Sequence, residues 1–231
     1  MEVDIPFLLY FLAVKKYNQF LGMAHATTEK MLEILKKKGK PFSSFHKGDT
    51  IHVHNKMQKG YSYTLEEEPG MNLGFKPYAT PEEMLCMGVF EGKYLNDCLE
   101  EYPQEWFVKA IALGKLSPQG ADPSVNALSV KSRQPLKIWR ENGWVPGTGK
   151  SKPHPILSSK ETNPDGRGWF EWYCRYFMGR RMPELDKVQI GRWRAINRHI
   201  AQIKKNCKPG DLSCRPRQRQ LAIQWSYSPF I

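Results

Sequence analysis

The sequence predicts an α+β fold that is mainly α, with a short N-terminal β-hairpin and a basic, aromatic helical unit at the C-terminus. Most segments repeat apolar residues at three- and four-residue spacing, which is the period of an amphipathic helix. Two short segments near residues 50 and 65 alternate apolar and polar residues, which is the period of a strand. With 231 residues, 40% hydrophobic and 25% charged, the chain has the size and composition of one sizeable globular domain.

The chain starts with a predicted buried helix. Residues 6–14 are an apolar run, far shorter than the ~20 residues that a membrane-spanning helix needs. Glu2 and Asp4 precede this run, and their negative charge is the wrong polarity for a signal peptide. We therefore predict a soluble protein of the cytoplasm or nucleus with no membrane partner. An odd number of cysteines without regular spacing agrees with a reducing compartment.

The β-hairpin is predicted within the N-terminal part, residues 1–145. Strand-like alternation covers residues 50–54 and 60–65. It places His52 and His54 on one face of the first strand, where two imidazoles are able to bind a metal. No carboxylate follows closely, so two exposed polar residues on a half-buried hairpin are the favoured interpretation.

Helices are predicted on both sides of the hairpin. A helix over residues 29–38 ends in three lysines, which complement the helix dipole. Thr80 followed by Pro81 and two glutamates is a typical helix start, with an N-cap and a proline at the first helical position. Periodicity and bounding proline or glycine residues predict further helices over residues 94–101, 104–113 and 135–142.

Residues 146–164 have the composition of a loop, with four prolines, and we predict the boundary between an N-terminal and a C-terminal part there. The run PGTGKS at residues 146–151 is similar to the end of a phosphate-binding loop. That motif requires a glycine where this chain has Trp144. Pro153 and Pro155 also oppose the helix that should follow. We therefore predict no nucleotide hydrolysis.

The C-terminal part, residues 165–231, carries most of the chain's positive charge. It contains 14 Lys and Arg against 5 Asp and Glu, so nine of the twelve net positive charges of the chain lie here. Helices are predicted over residues 168–177, 183–206 and 215–227, with a break near Gly191. The first of them carries a stripe of aromatic rings. Cations beside flat aromatic rings are typical of proteins that bind nucleic acid.

The sequence therefore predicts a nucleic-acid-binding protein, with DNA slightly favoured over RNA. Arginine predominates, which favours contacts with phosphate over mere solubility. Trp172 and Tyr176 are the candidates for stacking on bases. The candidates for binding phosphate are Arg180, Arg181, Arg192, Arg194, Arg198, Arg215, Arg217 and Arg219.

Two other functions remain open at this stage. An enzyme that acts on nucleic acid, such as a base-modifying enzyme, would use Asp165, Cys174 and His199, which lie near the basic segments. A structural or assembly protein would use the basic surface to bind an acidic partner. Oligomeric state has no signal in the sequence.

The cysteines of the C-terminal part have three interpretations. Cys207 and Cys214 bracket a turn, and they are free thiols, a disulfide, or zinc ligands together with Cys174 and His199. Structural zinc prefers cysteines two to four residues apart, and this pair is more widely spaced. Free thiols are favoured, and no cofactor is predicted, with zinc as the alternative.

Four stretches of this chain resemble a family of uncharacterised proteins, and the resemblance covers about residues 75–227. It implies a shared fold and no mechanism, so no functional residue follows from it. The stretches are TPEEMLCMGVFEGKY at 80–94, QPLKIW at 134–139, GWFEWYCRYFMGRR at 168–181 and RHIAQIKKNCKPGDLSC at 198–214.

Overall fold

The structure is a computed structural model that describes residues 25–148 and 154–231. Within these ranges the chain is mainly helical, with one two-stranded antiparallel sheet, which confirms the predicted fold class. The strands are β1 (Thr50–His52) and β2 (Ser62–Thr64). The helices are α1 (His25–Lys38), α2 (Pro81–Cys86), α3 (Gln104–Ala112), α4 (Leu136–Glu141), α5 (Trp169–Phe177), α6 (Pro183–Ala195), α7 (Asn197–Asn206) and α8 (Pro216–Gln224).

The hairpin forms in the predicted place, with Thr50 to His52 paired to Ser62 to Thr64. Ile51 pairs with Tyr63, and both side chains are buried, because alternate residues of a strand point to the same face of the sheet. His52 and His54 are exposed, and Nδ1 of His52 lies 2.9 Å from Oγ of Ser62. The two histidines thus occupy the polar face, as the favoured interpretation predicted.

Helix α2 begins with the predicted capping box. The Thr80 side chain accepts a hydrogen bond from the backbone N–H of Glu83, and the Glu83 side chain accepts one from the backbone N–H of Thr80. Both groups would otherwise lack a partner at the helix N-terminus. Met84 and Leu85 are buried behind the cap, so the local capping signal and core packing together fix this element.

Helix α5 lies at the centre of the protein. Every residue from Trp169 to Tyr176 is buried, so this helix has no solvent-facing side over two turns. One cluster of buried apolar side chains joins Met31 of α1, Trp106 of α3 and Ile223 of α8 to α5. A helix that is covered all round belongs to a protein core. Residues on both sides of the 146–164 segment therefore share one core.

Two predicted helices differ from the structure. Residues 94–101 form consecutive turns instead of a helix, because Leu95 has a left-handed backbone conformation (φ 59°) that interrupts helical hydrogen bonding. The predicted helix 183–206 breaks at Ile196, between α6 and α7, and not at Gly191. An exposed glycine is tolerated inside a helix, and here Gly191 remains within α6.

The predicted helix over residues 6–14 and the end of the PGTGKS run lie outside the described residues. In the described ranges, none of the helices combines the length and the apolar character that crossing a bilayer requires.

Candidate nucleic-acid surface

The two predicted stacking residues belong to the core. Trp172 is 0% exposed, and its indole N–H donates to Oδ1 of Asp186 at 2.8 Å. Tyr176 is 5% exposed, and its hydroxyl donates to the carbonyl of Leu73 at 2.8 Å. A base cannot stack on a ring that the protein already covers on both faces. The stacking role predicted for Trp172 and Tyr176 is corrected to a packing role in α5.

Two of the eight predicted arginines are also interior. Arg180 is 2% exposed and makes two hydrogen bonds to Asp165, at 2.8 and 2.6 Å. Arg219 is fully buried and donates to the carbonyls of Cys214 at 2.9 Å and Ile231 at 2.8 Å. Buried guanidinium groups require such partners, since an unpaired charge is costly away from water. Their predicted phosphate contacts are therefore corrected to structural ones.

Two further arginines are half-buried and already have partners. The guanidinium of Arg181 lies 4.1 Å from the ring centre of Tyr176 and donates to the carbonyl at the end of α5. Arg192 lies over the ring of Trp225 at 5.4 Å and donates to Gln189 at 2.7 Å. Cation–π contacts of this kind order a side chain against the protein. Neither arginine presents a free guanidinium group to solvent.

The other four predicted arginines are exposed, together with three lysines in or just after α7. None of the seven side chains forms an ion pair with any residue that the structure describes. We call these seven the C-terminal cationic face. They are Arg194, Arg198, Lys204, Lys205, Lys208, Arg215 and Arg217.

The phase of α7 explains why part of this face is coherent. Ile200 and Ile203 are buried on one side of the helix. Arg198 and Lys205 are seven residues apart, close to two full helical turns, so they share the side opposite these isoleucines. Arg194 precedes Arg198 by four residues, and only Ile196 separates the two helices. Three cations thus follow one line along the end of α6 and the length of α7.

A disulfide joins α7 to the segment before α8. Cys207 and Cys214 are bonded, with a Cα–Cα distance of 5.7 Å, so the favoured prediction of free thiols is wrong in this structure. Oδ1 of Asp211 accepts hydrogen bonds from the backbone N–H groups of Ser213 and Cys214 inside the enclosed turn. The turn brings Arg215 close to the end of α7, which makes the two groups of cations neighbours.

The predicted zinc ligands are not assembled. Cys207 and Cys214 are bonded to each other, and Cys174 is fully buried in α5. Across the described ranges, no group of three His, Cys, Asp or Glu side chains has the arrangement of a metal site. The predicted zinc site is therefore corrected, because its four ligands do not come together in the described structure. These ligands were Cys174, His199, Cys207 and Cys214.

The predicted catalytic residues are likewise separated. No hydrogen bond or ion pair in the described ranges joins any two of Asp165, Cys174 and His199. Burial raises the pKa of the Cys174 thiol well above its ordinary value, and Glu171 raises it further. A thiol must ionise to act as a nucleophile, and this one remains protonated. The predicted catalytic pair of Cys174 and His199 is therefore corrected, and Cys174 is a buried core residue.

Asp165 instead belongs to a buried network of charges around α5. Arg175 donates to Glu101 at 2.7 Å and to Asp165 at 2.8 Å, and Arg180 holds the other oxygen of Asp165. Burial alone would raise the pKa of Asp165, but Arg180 and Arg175 lower it below the ordinary value. The carboxylate therefore stays ionised and fully hydrogen-bonded, which is the state of a structural residue and not of a general acid.

Glu171 is the member of this network with the poorest partners. Its Oε2 accepts from the backbone N–H of Arg167 at 2.9 Å, whereas Oε1 has no hydrogen bond and lies 3.6 Å from Arg175. Burial raises the pKa of Glu171 to about 7, against the opposing effect of Arg175 and Arg167. The ionised form of this side chain is thus disfavoured by the fold.

Substitution Glu171→Gln is expected to stabilise the protein at alkaline pH. Since the pKa of Glu171 is higher in the folded chain, its contribution to stability is present below about pH 4 and is lost as pH rises through 7. Glutamine does not ionise, so the stability gained by the variant over wild type should be about 2 kcal/mol larger at pH 8 than at pH 5. Urea unfolding at both pH values measures this. Glu141→Gln, at an exposed i,i+4 pair with Lys137, should show no such pH dependence.

Sequence reasoning missed the pairing of charges inside the protein. The i,i+4 spacing of Arg167, Glu171 and Arg175 was a signal, because such residues meet on one side of a helix. It also missed a groove where Lys56, Arg140 and Trp144 come together. Lys56 lies more than 80 residues before Arg140 and Trp144, and only the tertiary fold makes it their neighbour.

No family model, curated protein or solved structure matches this chain. The resemblance of residues 75–227 to a family of uncharacterised proteins stays a prediction.

Proposed function

We propose that this protein binds nucleic acid, with the C-terminal cationic face in contact with backbone phosphates. The observation that carries the proposal is that these seven exposed cations have no acidic partner in the described structure. A polyanion is the partner that neutralises such a surface. Asp211 is the acidic residue within this stretch, and its carboxylate is engaged by the turn between the cysteines.

The line formed by Arg194, Arg198 and Lys205 supports a backbone contact in particular. Phosphates repeat along a strand, and cations spaced along a helix side are able to contact several of them. Such contacts position a nucleic acid without reading its sequence. The proposal therefore concerns affinity, and the preference for DNA over RNA stays a prediction that the titration below decides.

The test is a binding titration of duplex DNA, single-stranded DNA and RNA at two salt concentrations. The variant Arg194→Gln/Arg198→Gln/Lys205→Gln removes the three aligned charges. It is expected to weaken binding at least tenfold at low salt, and to reduce the slope of log affinity against log salt by about 3, nearly one per lost phosphate contact. Arg192 stays unchanged, because it is packed on Trp225 and its loss would disturb the fold.

The matched control is Lys30→Gln/Lys37→Gln/Lys40→Gln, which removes three exposed charges in and just after α1. It lowers net charge equally, so it should retain affinity if the C-terminal cationic face is the binding surface. Equal loss in both variants would mean that net charge alone attracts the nucleic acid. No binding at low salt would exclude the proposal and would favour the acidic protein partner.

A further inference from the structure

A groove on the N-terminal side of α5 has the size and the lining of a second binding site. It consists of two adjoining cavities with volumes of about 330 Å³ and 490 Å³. The two cavities share Lys56, Met57, Leu136 and Gly166 in their lining, so they lie side by side. These volumes lie in the usual range of sites for small organic ligands.

The first cavity has an aromatic wall. Trp139 and Trp144 meet edge to face, with ring centres 5.8 Å apart and an angle of 89° between their planes. Trp139 is fixed, since its ring lies against the backbone of Gly168 at the start of α5, where a side chain would be 3.0 Å from it. Trp144 is 47% exposed, which is high for so large an apolar side chain. Nearly half of the surface of this side chain is therefore accessible to a ligand.

The second feature of the groove is an excess of unpaired cations. Six basic side chains line the two cavities without an ion pair among the described residues: Lys56, Lys59, Lys93, Arg133, Arg140 and Lys160. The acidic residue among the described lining is Asp97, and its Oδ2 lies 2.9 Å from Nη2 of Arg167. The groove thus carries positive charge around a flat apolar wall.

We propose that this groove binds an unpaired nucleotide of a single-stranded nucleic acid, with the base on Trp144 and the flanking phosphates on the lysines and Arg140. Base stacking on aromatic rings and a cationic path for the backbone are the two recurring parts of single-strand sites. In a duplex the bases are already stacked and paired, so an exposed ring has no base face to contact.

This inference rests on the proposed function but uses a different surface. The C-terminal cationic face contacts phosphates, which both single strands and duplexes carry. The groove adds a contact that only an unpaired base makes. A single strand should therefore bind more tightly than a duplex of equal phosphate number.

The test compares fluorescence anisotropy of a labelled oligodeoxythymidylate with that of a duplex, for the whole chain and for Trp144→Ala. The variant is expected to bind the single strand about tenfold more weakly and the duplex unchanged, since stacking on one ring is lost. Arg140→Gln, at an exposed position of α4, should weaken single-strand binding and lower its salt slope by about 0.7. Neither substitution removes a buried side chain, so both proteins should fold.

The control is Tyr78→Ala. Tyr78 is a ring exposed to a similar extent, 51%, in a different cavity beside Glu83. It should change neither affinity. Trp144→Ala could instead weaken the binding of duplex and single strand equally, or leave both unchanged. Either result would show that the groove does not bind an unpaired base, while the proposed function stands. If the wild-type chain binds neither form at low salt, both proposals fail.

Discussion

Substitution Asp165→Asn is expected to lower the free energy of unfolding by about 3 kcal/mol or more at pH 7. The carboxylate of Asp165 is fully buried and accepts three hydrogen bonds, from Arg175 and from both terminal nitrogens of Arg180. Asparagine preserves the shape but removes the charge, which leaves the Arg180 guanidinium buried without a counter-ion. Breaking a buried ion pair from one side costs about 3–5 kcal/mol.

The pH dependence of this loss has a definite sign. The two arginines lower the pKa of Asp165 in the folded chain, so its contribution is present above the ordinary pKa of about 4 and is lost as pH falls further. The difference in the free energy of unfolding between wild type and variant should therefore become smaller in acid. Urea unfolding at pH 7 and at pH 3 measures it.

The matched control for this substitution is Asp122→Asn. Asp122 is partly exposed and accepts from the backbone N–H of Ser124 at 2.9 Å, and asparagine caps a helix equally well. Its cost should stay below about 1 kcal/mol. A cost of Asp165→Asn as small as that of the control would show that Arg180 is able to find water or another partner.

Substitution Gly179→Ala is expected to destabilise the protein by about 3 kcal/mol. Gly179 has φ 104°, and a methyl group there would lie 2.0 Å from the carbonyl oxygen of Glu67. The strain of a positive φ and the forced shift of the backbone each cost about 1–3 kcal/mol. Relief of the clash would also stretch the hydrogen bonds from the N–H groups of Glu66 and Glu67 to the Gly179 carbonyl.

The same substitution at Gly191 should act in the opposite direction. Gly191 lies inside α6 with no atom near the added methyl group and without a positive φ. Alanine is a better helix former than glycine, so this variant should gain about 0.5–1 kcal/mol. Thermal unfolding of the two variants side by side checks both signs. If Gly179→Ala were neutral, residues 66–67 would not be tightly held against the end of α5.

Much of the fold could be predicted because local signals fixed it. The capping box at Thr80 started α2 where expected, and alternation around Ile51 placed the hairpin. The prediction of a helix at 94–101 was wrong because the left-handed conformation of Leu95 has no signature in an ordinary leucine. The break at Ile196 also had no signal in the sequence, and the backbone dihedral angles of this residue stay near helical values.

The candidate site was harder to predict because the sequence does not distinguish an interior arginine from an exposed one. Arg180 and Arg198 have the same side chain and lie in the same basic part of the chain. Arg180 donates to Asp165 and Tyr61 in the core, whereas Arg198 is exposed, and only the tertiary fold decides this difference. The aromatic residues of α5 misled for the same reason, because a stripe at helical spacing fits a core and a ligand platform alike.

The central position of α5 limits how the protein can be dissected. Arg175 reaches Gln58 and Glu101, each at 2.7 Å, and Tyr173 donates to the carbonyl of Ala79. A fragment that begins after residue 164 would keep most of the positive charge. In it, Arg175 would lose these two partners, and the aromatic side chains of α5 would be exposed to solvent. Such a fragment would be an aggregation-prone polycation, and its non-specific binding to nucleic acid would say little about the intact molecule. Deletion mapping would therefore mislead, and point substitutions in the whole chain are the informative route.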